Sequence, residues 1–319
     1  MQHYDVFNGD ADGICALVQL RRAQPRDALL VTGVKRDIDL LKQVAAGQGS
    51  QVTVLDVSLD KNRSDLERVL AAGAEVFYCD HHFAGDIPQH AGLRTLINPA
   101  ADVCTSLLVN GHLRGAFLAW AVVGTFGDNL RDSARRLARP LALDSAQLEQ
   151  LEQLGIYINY NGYGPSLEDL HFDPADLYRL LSRFDDPFAF MAAEREHFQR
   201  LETGYQEDMA AAASLAPEYS DAAAAVYLLP DAAWARRVSG VFGNDLANSD
   251  PARAHAVVTA RADGNFLVSV RAPLNNKTGA DVLCREFPTG GGRAAAAGIN
   301  ELPPAQLPDF IARIAAFYA

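Results

Sequence analysis

Directly after the apolar run Ala74, Val76 and Phe77, the chain reads Tyr78-Cys79-Asp80-His81-His82. One carboxylate and two imidazoles at the end of a strand can contact a metal ion or a phosphate. Taken alone, the stretch reads equally as a surface loop holding two of the eight histidines. Other acidic residues stand in the same kind of place. Asp10 and Asp12 lie in Asn8-Gly9-Asp10-Ala11-Asp12-Gly13, and Asp56 follows Gln51-Val52-Thr53-Val54-Leu55. Asp128 follows an apolar segment in Gly124-Thr125-Phe126-Gly127-Asp128-Asn129, where an ordinary turn aspartate is the competing reading. Several aspartates with a histidine suit Mn²⁺ or Mg²⁺. Two such ions about 3.5–4 Å apart activate a water and stabilise the leaving oxygen of a phosphate ester.

The elements around these residues must bring them together. Residues 3–7 read as a strand, followed by a helix with apolar residues Ile14, Leu17, Val18 and Leu20 at helical spacing. Strands are expected again at 28–34, 51–55 and 74–79, with helices near 38–46 and 64–72 between them. Strands alternating with helices indicate a parallel sheet in an α/β domain. Ligands of such sheets bind beyond the carboxyl ends of the strands. Asp10, Asp12, Asp56, Asp80, His81 and His82 are therefore expected on one rim.

Residues 100–138 read as mostly helical, and Tyr157 to Pro165 as a polar, aromatic loop. That loop either packs on the surface or offers its tyrosines to a base. Helices follow at 177–184 and 188–213, and the pattern then changes. Strands at 223–229, 255–261 and 266–271, with helices at 238–248, 279–286 and 304–318, describe a second, smaller α/β domain. Gly290-Gly291-Gly292-Arg293 precedes a run of alanines. Consecutive glycines let backbone amides approach an anion closely. The expected division is a metal-binding domain over 1–185, a helical linker over 186–215 and a substrate-binding domain over 216–319.

Composition limits the partners. With 319 residues, 49% hydrophobic and 21% charged, the chain has the balance of a globular protein. A net charge of −12 and no basic run argue against a long nucleic-acid groove. Four scattered cysteines without CxxC spacing indicate neither a disulfide framework nor zinc. No apolar run is long enough for a membrane span, and the first residues lack a signal-peptide pattern. The expected compartment is the cytoplasm. The oligomeric state, including a dimer, stays open.

The ordered set Asp10-x-Asp12-Gly13, Asp56, Asp80-His81-His82 and Asp128, followed by the C-terminal glycine stretch, resembles the DHH phosphoesterase superfamily. The later domain resembles its DHHA1 subfamily, which includes RecJ-type exonucleases, oligoribonucleases and cyclic-dinucleotide phosphodiesterases. The resemblance implies a metal-binding DHH domain, a helical linker and a DHHA1-type domain. It implies two ions, Mn²⁺ or Mg²⁺, with Asp10 on one, Asp12 on the other and Asp56 bridging. His81 and Asp128 would complete the second site, and Asp80 would ligate or orient. His82 would contact the scissile phosphate or assist its protonation. Gly290, Gly291, Gly292 and Arg293, with Ser269 and Arg271, would hold the rest of the substrate. Val6 stands where the family often has a histidine. Asn8 replaces an aspartate and is a further metal-ligand candidate through its amide oxygen.

The expected activity is metal-dependent hydrolysis of short linear nucleotides, dinucleotides such as pGpG among them, to mononucleotides. Related alternatives are cleavage of cyclic dinucleotides, a 3′-phosphoadenosine phosphate phosphatase and a single-strand exonuclease. A catalytically weak nucleotide-binding module is an alternative of another class.

Overall fold

A computed structural model describes residues 2–319. The chain divides into two compact units, Met1–Tyr205 and Gln206–Ala319. The helix Arg195–Ala213 runs through the division.

The first unit is built on a parallel sheet of β1 (His3–Phe7), β2 (Leu29–Val31), β3 (Gln51–Leu55), β4 (Glu75–Asp80) and β5 (Leu93–Ile97), in the order β2-β1-β3-β4-β5. Its strands are apolar on both faces because helices cover both, as parallel sheets require. Phe7, Leu55 and Cys79 pack on one side with α1 (Ala11–Ala23) and the later helices α3 (Thr105–His112), α4 (Leu118–Gly127) and α6 (Ser145–Asn161). Val6, Val54 and Tyr78 face the other way, towards α2 (Leu59–Ala71). The chain runs from β1 to β2 on one side and then crosses back past β1 to β3 on the other, so β1 and β3 flank the topological switch point, where open α/β sheets bind ligands. Asp10 and Asp12 follow one of these strands and Asp56 the other.

Several expectations change. Residues 38–46 form only a short 3-10 helix at Leu40–Gln43, and β5 was not foreseen. The segment read as an aromatic loop is helix as far as Asn161. A capping box starts α6, with Gln147 N–H donating to Asp144 and the Asp144 N–H donating back to the Gln147 side chain. Tyr157 and Tyr160 are buried against Tyr205. They are core, not a stacking platform.

The second unit is a mixed sheet in the order β10-β11-β9-β8-β7-β6. Its strands are β6 (Tyr219–Ser220), β7 (Ala224–Leu229), β8 (Ala254–Ala260), β9 (Phe266–Arg271), β10 (Gly290–Arg293) and β11 (Ala296–Leu302). One face packs on Leu283, Cys284, Phe310 and Ile314. The other packs on the helix Ala233–Ser249. The glycine stretch is therefore an edge strand in a hairpin, not a loop.

Candidate metal centre

The rim of the first sheet is built by register. Phe7 pairs with Leu55, and Leu55 with Cys79. The residues just beyond these pairs, Asn8, Asp56 and Asp80, are thus level with one another. Asp56 takes a left-handed backbone conformation, φ 59°, which aspartate tolerates better than most residues. It turns the chain off β3. Asp10 caps α1, its Oδ1 accepting from the N–H groups of Asp12 and Gly13 at 3.0 and 3.1 Å. Gly13 has no room for a side chain, since a Cβ there would lie 2.3 Å from Asn8 O.

Asp12, in the first turn of α1, is fully buried and held from both sides. Thr105 N–H donates to its Oδ2 at 2.7 Å and Ser106 N–H to its Oδ1 at 2.6 Å. These are the free amides that open α3, and they favour a negative charge. The Thr105 hydroxyl also donates to Asp56 Oδ1 at 3.2 Å.

His81 sits at the centre. Its Nδ1–H donates to the Val103 carbonyl at 2.9 Å, which leaves Nε2 as a lone-pair donor. Nε2 lies 3.3 Å from Asp56 Oδ1 and 3.9 Å from one oxygen each of Asp12 and Asp128. Asp128 comes from the end of α4, where it is the C-cap residue. The helix end thus places Asp128 beside His81 and Asp12. Asp12, His81 and Asp128 form one group of donor atoms within 4.8 Å of one another, and Asp56, His81 and His82 form another.

His82 plays a different part. Its Nδ1–H donates to Asp80 Oδ1 at 2.7 Å, so that nitrogen is occupied and Nε2 remains. The Asp80 hydrogen bond raises the imidazole above its ordinary value, against the opposing effect of burial. Asp80 is itself fully buried, and its Oδ2 has no hydrogen-bond partner.

The charge on this rim is out of balance. Burial, and then the neighbouring carboxylates of Asp12 and Asp10, push Asp56 well above the carboxylate range. The same causes push Asp128 up to about 8. Buried carboxylates this close repel unless a cation joins them. The donor set fits a hard divalent cation: carboxylate oxygens plus an imidazole whose other nitrogen is fixed by a backbone carbonyl.

Sequence reasoning missed Thr105, Ser106, Lys35, Asn159 and Phe83. Lys35 had a signal, because it directly follows the residues expected as strand two and so belongs to the same rim. Its Nζ lies 2.5 Å from Asp10 Oδ2 and 2.8 Å from Asn159 Oδ1. Asn8 accepts from the Asp10 N–H at 3.2 Å and donates to the Lys35 carbonyl at 3.0 Å. Phe83, 73% exposed, lines a cavity of about 500 Å³ together with Lys35, Asp56, His81, His82 and Asp128.

The C-terminal candidates lie in the second unit. Arg293, Ala296 and Arg271 are paired across β10, β11 and β9, and Gly291, Gly298 and Ser269 form the next row but one. Paired and alternate residues share a sheet face, so Arg271, Ser269, Gly291 and Arg293 share one. Arg271 donates to Asn244 Oδ1 at 2.7 Å and to Ser269 Oγ at 2.9 Å. The three glycines differ. A Cβ on Gly290 would lie 1.6 Å from Cys284 O, and one on Gly292 would strike Ala297, whereas Gly291 faces open space.

No family model matches the sequence, and no curated protein matches it. Solved structures do. The exonuclease RecJ bound to manganese is similar over 99% of this chain and 90% of its own, with a TM-score of 0.65 at 20% identity. The DHH domain of a member of the s1p family of ribosomal proteins is similar over 99% of this chain and 86% of its own, with a TM-score of 0.59 at 13% identity. A pGpG-specific phosphodiesterase from Vibrio cholerae is similar over 99% of both chains, with a TM-score of 0.56 at 15% identity. The likeness is one of fold, and it extends over both units.

Proposed function

We propose that this chain, with a fold shared by DHH-domain proteins, is a divalent-cation-dependent phosphoesterase that hydrolyses short linear nucleotides to mononucleotides. One observation carries the reading: Asp12, Asp56 and Asp128 meet the free Nε2 of His81 at the switch point of a parallel sheet. These four would hold the cation. Bound there, Mn²⁺ or Mg²⁺ supplies Lewis-acid polarisation of a phosphoryl oxygen and a water of lowered pKa.

The remaining chemistry belongs to the chain itself. His82, braced by Asp80 and raised towards its imidazolium form, holds a proton at Nε2 that it can deliver to the leaving oxygen. Lys35 brings a fixed positive charge to the same cavity. Thr105 and Ser106 hold the carboxylate of Asp12 in place, so the ligand set is oriented before substrate arrives.

A short nucleotide fits better than a long strand. The cavity of about 500 Å³ falls within the range of about 300–1,000 Å³ that small-molecule sites occupy. The net charge of −12 opposes extended phosphate backbones. Exposed Phe83 offers a base a face to stack on, which inorganic phosphate chains would not need. The arginine-bearing sheet face of the second unit suits a phosphate or a guanine edge. Its guanine reading, and hence pGpG as the preferred substrate, is supported further by the likeness to a pGpG-specific phosphodiesterase.

The test is a panel of 5′-phosphorylated dinucleotides, longer oligomers, cyclic dinucleotides and 3′-phosphoadenosine phosphate, each incubated with Mn²⁺. Linear dinucleotides are expected to give the highest kcat/KM, with pGpG first. Preference for long single strands would overturn the substrate class. Binding without hydrolysis of any member would favour a nucleotide-binding module.

A further inference from the structure

We infer that Lys35 stands where a second metal ion would otherwise be, so that the site takes one divalent cation beside a fixed ammonium group. The contact this ammonium would make with a substrate phosphate rests on the phosphoesterase reading; the ion count does not.

In the two-ion arrangement that the resemblance implies, Asp10 is the ligand of the first ion. Like Asp12 it accepts backbone amides, here two from α1 on Oδ1, but unlike Asp12 its other oxygen, Oδ2, already holds a cationic group, the Lys35 ammonium at 2.5 Å. Neither group of potential metal donors includes Asp10. Asn8, the other candidate for that ion, has turned its amide oxygen to the Asp10 N–H.

Lys35 is held as a built-in part of the site. Besides Asp10, its Nζ donates to Asn159 Oδ1 at 2.8 Å and stands 5.8 Å from the centroid of the Tyr163 ring. Its backbone N–H donates to the Gly162 carbonyl at 2.8 Å. Head group and backbone are thus tied to the same end of α6, and a long, flexible side chain loses its freedom. An ammonium has three N–H donors. Asp10 and Asn159 take two, and the third is left for the cavity that Lys35 lines.

Charge agrees with this arrangement. Asp10, Asp12, Asp56 and Asp128 carry four negative charges when ionised, and Lys35 offsets one of them at Asp10 without a metal ion. A second dication would have to settle against the ammonium and compete with it for Asp10. The third N–H of Lys35 would meet a non-bridging phosphate oxygen instead, supplying by hydrogen bond the positive charge an ion would have brought.

The experiment is Mn²⁺ titration of the full chain by equilibrium dialysis, with electron paramagnetic resonance of the bound ion. One Mn²⁺ per chain with an uncoupled six-line spectrum is expected. Two ions with an exchange-coupled spectrum would overturn the inference, and hydrolysis by that two-ion form would leave the phosphoesterase reading standing. One ion with no phosphoester hydrolysed would do the reverse. Lys35→Met, checked for folding by its thermal melt, is expected to admit a second, coupled ion. Lys35→Arg, which keeps the charge, is expected to stay at one. A folded Lys35→Met that still binds a single ion would overturn the role given to Lys35.

Discussion

Nε2 of His81 lies 3.3 Å from Oδ1 of Asp56, two groups carried by neighbouring strand ends. Asp56 owes its place to a left-handed backbone turn, which asparagine also tolerates. Asp56→Asn therefore removes the charge while keeping the turn. Mn²⁺ affinity is expected to fall by about 10²-fold or more, beyond the 10–100-fold typical of a ligand's supporting partner. The metal-free variant should melt higher than the metal-free parent at pH 8, because a buried, repelled carboxylate is gone. Calorimetric titration and thermal melts measure both. A parental Mn²⁺ affinity would remove Asp56 from the ligand set.

In the proposed mechanism His82 and Asp80 act on the leaving group, so they should separate from metal binding. His82→Ala is expected to lower kcat by about 10²–10⁴-fold, the usual worth of a general acid, with Mn²⁺ affinity little changed. Asp80→Asn withdraws the hydrogen-bonded charge that raises His82. The basic limb of its kcat profile should move to lower pH. A limb that stays in place would mean Asp80 does not tune His82.

Stability of the metal-free protein should depend on pH in an unusual sense. Asp56 and Asp128 have folded pKa values above the ordinary carboxylate value, Asp128 at about 8. Between about 4, the unfolded value, and 8, the folded state binds more protons than the unfolded one. Unfolding free energy must then fall as pH rises through that window. Tm of the metal-free chain is expected to drop between pH 5 and 8, and added Mn²⁺ to restore more at pH 8 than at pH 5. A stabilisation by Mn²⁺ independent of pH would contradict this.

Phe83 is the exposed aromatic beside the ligand cluster. Phe83→Ala should raise KM for dinucleotides by about 5- to 150-fold, equivalent to the roughly 1–3 kcal/mol of one stacked base. The kcat should hardly move. A loss confined to kcat would mean that Phe83 shapes the ligands and not the base.

In the second unit, Gly290→Ala and Gly291→Ala should behave differently. The Gly290 site has a carbonyl 1.6 Å from the new methyl, so the variant should lose about 1–3 kcal/mol of stability or more through overpacking. Gly291 opens to solvent, so its variant should fold as the parent does and raise KM. Arg293→Ala should raise KM more for guanine than for adenine dinucleotides; equal losses would make Arg293 a phosphate contact. Denaturant unfolding and steady-state kinetics read these effects.

Much of the first unit was legible in the sequence. Apolar runs ending in Asp10, Asp56 and Asp80 announce parallel strands whose carboxyl ends share a rim, and one-dimensional order suffices for that because all parallel strands point the same way. The aromatic stretch at Tyr157 was misread because its asparagines and the glycines after it favour loops. Burial of Tyr157 and Tyr160, and the Asn161 side chain bonding both backbone groups of Phe172, overrule that local preference. The glycine stretch was misread for a related reason. Its strand character depends on pairing with Ala296–Leu302, which no local pattern encodes.

The sequence by itself determined which residue types stand at the strand ends, and so the chemistry of the donor set. Only the tertiary structure decided which oxygens remain free to use it. Capping of α1, the amides opening α3 and the reach of Lys35 to Asp10 and Asn159 all join residues far apart in the chain. Each of them consumes or orients a lone pair. A carboxylate's identity is written locally, but its availability depends on what the fold brings within hydrogen-bonding distance.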